Sequence, residues 1–330
     1  MQIRELHPLD DPRDLATVVE VYQRFQSDFL PGFPEFGEAR LRYWCTPRYQ
    51  HAGAVFAAFA DENAVRAEAV GLFGYQLKSN LNLTYINLGF GAGESTHDAK
   101  TAIFEEATRR TSELGRTRLG LDMPGPTDPA PFAEQHGGKY TDTALSSVLD
   151  LHAIDRAQYE EWAEPSAKNS EYTLVSWSGS CPDELAESYC TALDAMADQP
   201  MGDFEYEFTK VEIERLRFTE EQAARHGRNF VQVALDPEGN IAGFNSLMSF
   251  PDEPGHAEIW DTGVIRAHRG HGLGLRLKAA ASLRLLEEWP SARWVRTFNN
   301  EENEWMLRVN RTLGYTDFMP WRGYEFAVAG

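Results

Sequence analysis

One stretch, residues 256–286, constrains this chain more than any other: HAEIWDTGVI, then RAHRGHGLG, then LRLKAAASLRLL. Ile259, Trp260, Val264 and Ile265 form a short apolar run bounded by turn residues, which predicts a strand. Leu275, Leu277, Leu283, Leu285 and Leu286 are spaced through Ala- and Arg-rich sequence of high helix propensity, which predicts a helix. Between them lie Arg269, Gly270, Gly272 and Gly274. Glycine lets a backbone turn tightly and approach a ligand. The helix that follows presents unpaired N–H groups and a partial positive charge. Strand, glycine loop and helix together make an anion site suited to a diphosphate.

The rest of the chain repeats the same order of elements twice. Its 330 residues suggest about two domains. Strand signals at 2–6, 52–60, 70–77, 81–90 and 117–121 alternate with helical spacing at 14–29, 36–44 and 98–114, and 140–151 reads as a terminal hairpin. A second series follows: strands at 172–177, 229–235, 241–250, 256–265 and 294–298, helices at 183–196, 211–226, 273–286 and 301–313, and a last strand or hairpin at 315–328. Gly71-Leu72-Phe73-Gly74 parallels Ala242-Gly243-Phe244, a period of about 170 residues, too long for a solenoid and fitting a duplicated domain. The predicted domains are residues 1–152 and 171–330, with 153–170 as a linker.

Composition narrows the partners. The formal charge of −20 disfavours a nucleic-acid backbone and is compatible with a cationic amine. The three cysteines, Cys45, Cys181 and Cys190, have no metal-ligand spacing, so no metal is expected and free thiols in a reducing compartment are. No apolar signal region or long uncharged apolar run occurs, which predicts a cytoplasmic protein without a membrane partner, as monomer or homodimer. No G-x-x-x-x-G-K-[ST] is present, and the glycines do not match G-x-G-x-x-G.

The run Val264-Ile265-Arg266-Ala267-His268-Arg269-Gly270-His271-Gly272-Leu273-Gly274 resembles the acyl-CoA signature of the GNAT superfamily of N-acetyltransferases, with Arg269, Gly272 and Gly274 at the signature positions. Downstream, Asn299, Asn303, Met306, Leu307, Asn310, Leu313, Gly314 and Tyr315 look like that family's final strand–helix segment. The two-copy order resembles tandem GNAT proteins. The resemblance implies an α/β (α+β) fold of two GNAT-like domains. Each would have a mixed, mostly antiparallel sheet flanked by helices and splayed at its central strands. It implies acetyl-CoA, or another acyl-CoA, held by amides from Gly270, His271, Gly272, Leu273 and Gly274 with Arg269 beside them. The strand edge at Val264, Ile265 and Arg266 would meet the pantetheine arm. An N–H near Gly263 or Val264 would polarise the thioester carbonyl, and a bulge would open a slot beside the strand. Asn299, Asn303 and Asn310 would bond to cofactor or backbone.

Direct transfer needs an unprotonated amine, so a carboxylate must accept a proton, directly or through water. Glu258 and Asp261 lie on the key strand; in a regular strand they face opposite sides, so a bulge apart, only one would face the substrate. Asp261 is nearer the slot. Asn310 stands at the position where some GNAT enzymes carry a tyrosine acid, leaving Tyr315 and Tyr324 as replacements or core aromatics. A thiol also leaves adequately without an acid. The family's loop between its first two helices lines the acceptor site; here it holds Asp203, Phe204, Glu205 and Tyr206, acids among aromatics that suit a cation. In the first half the corresponding loop, Gly91-Ala92-Gly93-Glu94-Ser95, lacks the arginine and the second glycine spacing, and Glu94 would repel phosphate. The expected activity is transfer of an acetyl group to a primary amine of a small molecule, with one working site, in the second half. The alternative is a non-catalytic acyl-CoA-binding or regulatory protein of the same fold.

Overall fold

The computed structural model describes residues 1–93 and 95–329. Two passes through one element order make up the chain. The first runs β1 (Gln2–Leu6), α1 (Pro12–Phe29), α2 (Glu38–Cys45), β2 (His51–Phe59), β3 (Ala67–Gln76), β4 (Leu83–Phe90), α3 (Thr96–Glu113), β5 (Arg118–Pro124), α4 (Pro129–Gln135) and β6 (Lys139–Asp150). After α5 (Arg156–Ala163) the second runs β7 (Thr173–Ser178), α6 (Asp183–Leu193), α7 (Ile213–His226), β8 (Arg228–Leu235), β9 (Ile241–Ser249), β10 (His256–Val264), α8 (Leu273–Glu288), β11 (Trp294–Asn300), α9 (Glu304–Thr312) and β12 (Thr316–Ala327).

Local chemistry accounts for these boundaries. Asp11 caps α1 by accepting from the Arg13 N–H, Pro12 opens the helix, and Leu15, Val18, Val21, Tyr22 and Phe25 bury one stripe. Asn303 caps α9 in the same way, accepting from the Met306 N–H. Gly314, with φ +88°, ends that helix in the left-handed region that glycine tolerates.

The chain divides into two compact units, and the division corrects the expected one. The first unit is Met1–Ala144 with Met201–Glu207 and Pro320–Gly330; the second is Leu145–Pro200 with Phe208–Met319. Residues 153–170 hold a short helix, α5, which packs on α8 within the second unit. The predicted hairpin at 140–151 is one continuous strand, β6.

In the first unit the strand order is β1-β2-β3-β4-β5, followed by β12, where Trp321↔Pro124 through Ala327↔Arg118 pair antiparallel. In the second it is β7-β8-β9-β10-β11, followed by β6. The first unit thus takes a strand from the second pass, and the second unit takes one from the first. Most pairings are antiparallel; β4 with β5 and β10 with β11 are parallel. Helices flank each sheet. In the second unit one core lies under α8, with Leu247, Ile259, Ala281, Leu285 and Val295, and another, around Tyr189, Val233 and Phe244, carries residues of α6 and α7. No helix among the described residues is long and apolar enough to cross a membrane.

Candidate acyl-transfer site

Strand β10 departs from regular geometry where the chemistry is expected. Its register against β9 shifts between Ile259↔Leu247 and Asp261↔Ser246, so an extra residue, Trp260, is accommodated there. A one-residue bulge reverses the alternation of side chains beyond it. Glu258, opposite Met248, and Asp261, opposite Ser246, therefore share one face. The bulge is the exception under which both can face one side. Asp261 contributes to raising the Tyr189 pKa, after burial, so that face is the one covered by α6. Gly263 lies on it as well: a Cβ there would stand 2.7 Å from Phe244 Cε1.

The parallel pairing of β10 with β11 runs from His256↔Trp294 to Glu258↔Arg296. Past that pair, residues 259–264 and 297–300 continue without pairing to each other, which leaves a slot between the strands. In the first unit β4 likewise pairs with β5 only from Leu83↔Arg118 to Ile86↔Leu121, and the contrast lies on its other side. There β3 and β4 pair without a shift, from Ala69↔Phe90 to Gly74↔Tyr85.

The slot leads to the glycine loop. Gly270 and Gly272 have φ +89° and +75°, values that L side chains rarely adopt. A Cβ on Gly270 would meet nothing within 4 Å. Gly272 is the N-cap of α8, so Leu273, Gly274 and their neighbours present the unpaired amides of a helix start. His271 is held by its own turn, with Nδ1 3.1 Å from His268 O. Asn169 Nδ2 donates to His271 O and Arg276 donates to the Ala163, Asn169 and Tyr172 carbonyls, so buried side chains brace the loop from behind. Along the strand edge, the Ile265 N–H donates to Ala242 O and its side chain packs with the Phe244 core; neither is open to a cofactor arm.

Two guanidiniums stand at the loop. Arg269 Nε donates to Val264 O at 3.0 Å, and Arg269 Nη2 donates to Asp198 Oδ2 at 2.8 Å. Arg266 Nη2 donates to Asp198 Oδ1 at 3.1 Å. Arg266 and then Arg269 hold the Asp198 carboxyl below the usual carboxylate range. The loop and its arginines thus already grip one anion supplied by the chain. A cradle of left-handed glycines, a helix start and a pair of guanidiniums converging on a carboxylate is a donor set that fits a diphosphate.

Three expected residues have other surroundings. Tyr315 is 4 % exposed, packs with Leu149, Tyr159 and Leu313, and its hydroxyl reaches no polar partner. Burial holds its proton on, so Tyr315 is a core residue and not a group that a substrate touches. Tyr324 is buried against Tyr140 in the first unit. Asn303 spends its carboxamide oxygen on capping α9. Asn299 and Asn310 are joined, Asn310 Nδ2 donating to Asn299 Oδ1 at 2.7 Å. Behind them lies a residue that the sequence reading passed over. Lys278, 1 % exposed, donates from Nζ to Asn310 Oδ1 at 2.6 Å, and burial pushes its amine down to about 7. The signal was its spacing, one turn on from Gly274 between the apolar positions Leu277 and Ala281.

The loop carrying Asp203, Phe204, Glu205 and Tyr206 belongs to the first unit, whereas Glu258 and Asp261 belong to the second. Phe204 lies over Gly120 beside Tyr85, Glu205 O accepts from Arg118 Nη2 at 3.0 Å, and Tyr206 Oη accepts from Gln76 Nε2 at 2.5 Å. Asp203 faces Lys139 at 3.5 Å. With residues 78–82 and Arg118, residues 204–207 line an open groove of about 820 Å³. In the first unit's counterpart of the glycine loop, the Ala92 N–H donates to Asp28 Oδ2 at 2.8 Å, and the Arg24 side chain fills the space over Gly91. Glu94 lies outside the described residues. Among the described residues no three His, Cys, Asp or Glu side chains come together as a metal site.

Residues 193–315 match the Acetyltransferase (GNAT) family. No curated protein matches the chain. Among solved structures, a tandem GNAT protein from the clavulanic acid biosynthesis pathway aligns over 100 % of this chain and 99 % of its own, with 19 % identity and a TM-score of 0.81. A GCN5-related N-acetyltransferase from Sphaerobacter thermophilus aligns over 100 % and 96 %, at 15 % identity and a TM-score of 0.68. N-myristoyltransferase from Saccharomyces cerevisiae, solved with myristoyl-CoA, aligns over 99 % and 79 %, at 13 % identity and a TM-score of 0.63. The bulged strand, the slot and the glycine cradle all fall inside the segment that matches the GNAT family, and over its whole length the chain has the fold of a tandem GNAT protein.

Proposed function

We propose that the protein is an acyl-CoA-dependent N-acetyltransferase whose working site lies in the second unit and whose acceptor is a primary amine of a small molecule. One observation carries this reading: a bulged strand with two carboxylates on one face parts from its parallel neighbour and runs into an anion cradle. Acyl-CoA, when bound, supplies an activated thioester. Amides of residues 270–274 hold its diphosphate, and Arg266 and Arg269 turn to it from Asp198. The exposed edge of β10 at Val264 orients the pantetheine arm, and a main-chain N–H at Gly263 or Val264 faces the carbonyl oxygen. Asp261, or Glu258 beside it, takes the proton from the ammonium through its carboxylate oxygen or a water, so that the amine lone pair is free to attack.

The first unit is proposed to have lost acyl-CoA binding. Its loop amide is taken by Asp28, and its β4 has no register shift against β3. Thiol release from acetyl-CoA across a panel of amines, with calorimetry for CoA stoichiometry, tests both statements. Turnover with one CoA per chain is expected. Binding of CoA without thiol release for any amine would favour the non-catalytic reading, and two equivalent sites would overturn the assignment to one unit.

A further inference from the structure

A fully buried lysine in the matched domain has no role in the scheme above. Lys278 lies on α8 one turn after Gly274, where α8 approaches α9: a Cβ on Gly274 would be 4.0 Å from Val309 Cγ2. Among the described residues its ammonium has one hydrogen-bonding partner, Asn310, and it lies 5.3 Å from the centre of the Tyr315 ring. No carboxylate contributes to its pKa shift; burial is the sole cause. Burying an amine without a counter-ion is costly, so a chain that keeps one there is using it.

The use follows from donor and acceptor inventory. An ammonium has three donors and no acceptor. The group that meets the ammonium must present an oxygen, and Asn310 does so, with Oδ1 toward Lys278 and Nδ2 toward Asn299; the neutral amine formed above about pH 7 can also accept, so it is the protonated lysine that enforces this polarity. Asn299 must then accept through Oδ1, which leaves its own NH2 group directed away from Asn310. Asn299 is three residues past Arg296, the last residue of β11 paired with β10, and is half-buried at the slot. Strand alternation puts it with Val295 and Thr297 on the face that α8 covers, the side from which the glycine cradle opens.

We propose that Lys278 and Asn310 are positioning residues that fix the polarity of the Asn299 carboxamide, so that Asn299 presents a hydrogen-bond donor in the slot between β10 and β11 to the acyl thioester. This rests on the acyl-transfer reading and adds to it a neutral donor where a tyrosine is lacking. In the transfer, the strand carboxylate takes one proton from the ammonium, the freed amine nitrogen forms the bond to the acyl carbon, the carbon–sulfur bond breaks with its electron pair going to sulfur, and the second proton leaves nitrogen for the thiolate, giving the free thiol. Asn299 donates a hydrogen bond throughout and gives up no proton. Without Lys278 both carboxamides are free to flip, and an oxygen faces the slot for part of the time.

The test is a double-mutant cycle on the full chain with Lys278→Met, Asn299→Asp and the pair, reading kcat, KM for acetyl-CoA, CoA affinity by calorimetry and the thermal midpoint. Asn299→Asp keeps the acceptor for Asn310 and removes the slot donor, so it serves even if Lys278→Met does not fold. Each single change is expected to lower kcat about tenfold, with KM and CoA affinity within threefold and no fall in the midpoint for Lys278→Met. The pair is expected to be no worse than the worse single variant. Losses that multiply, or an Asn299→Asp variant with full kcat, overturn the relay while leaving acyl transfer standing. Wild-type protein that neither binds CoA nor releases thiol overturns the acyl-transfer reading, and the relay with it.

Discussion

Replacing Lys278 by methionine is expected to stabilise the protein at neutral pH and to remove part of its pH dependence. Burial takes the amine from an ordinary lysine value near 10.5 to about 7. In the unfolded chain it returns to the ordinary value. Between these two values the unfolded chain binds a proton that the native lysine has released. Mass action then favours unfolding as the pH falls, and native stability rises with pH across the window. Each pH unit is worth at most about 1.4 kcal/mol for one group, and less near pH 7 where the native lysine is itself half protonated, so wild type is expected to lose roughly 2 kcal/mol relative to Lys278→Met between pH 9 and pH 7. Methionine fills the volume of the lysine stem and brings no amine. The lost Asn310 bond costs the variant about 1–3 kcal/mol at every pH, so it cancels from the slope. Urea unfolding at pH 7, 8 and 9, wild type against variant, gives the difference directly. Two stability curves that stay parallel over those two pH units would refute a lysine held near neutrality by burial.

Asp198→Asn removes the carboxylate held by Arg266 and Arg269; two partly exposed ion pairs are worth about 1 kcal/mol together, so CoA affinity by calorimetry is expected to rise about fivefold, and a fall would mean that Asp198 orients the arginines. Asp261→Asn and Glu258→Gln are expected to lower kcat/KM about 10²–10⁴-fold for whichever residue is the base, with full activity in both removing the base assignment. Gly263→Ala pushes a methyl group into Phe244 and is expected to cost about 1–3 kcal/mol in denaturant unfolding; an unchanged midpoint would show that the ring gives way.

What could be read in advance was local. The strand, glycine turn and helix at 256–286 are specified by neighbouring residues, and the structure has β10, the left-handed Gly270 and Gly272, and α8 there. The bulge at Trp260 could not be placed beforehand, because register belongs to a pair of strands and one extra residue leaves no mark in the pattern. That residue decides whether Glu258 and Asp261 face together or apart. Tyr315 looked like a candidate acid because Asn310 stands where the resembled family carries its tyrosine; its burial depends on Leu149 and Tyr159, remote in sequence. Asp28 on the Ala92 amide and Lys278 behind Asn310 are likewise contacts between distant segments.

The exchange of strands has a consequence for synthesis. Arg118 waits for Ala327, and Thr117 O waits for the Val328 N–H, more than 200 residues later in the chain. A ribosome that has released everything up to β11 has therefore delivered every strand of the second unit's sheet but not the last strand of the first unit's, since the edge of β5 stays bare until its closing ribbon emerges. Bare edges of this kind invite pairing with other nascent chains. Cutting the gene between the two passes would yield two fragments that need each other to close, and mixing them is the natural way to ask whether such a protein can be assembled from its parts.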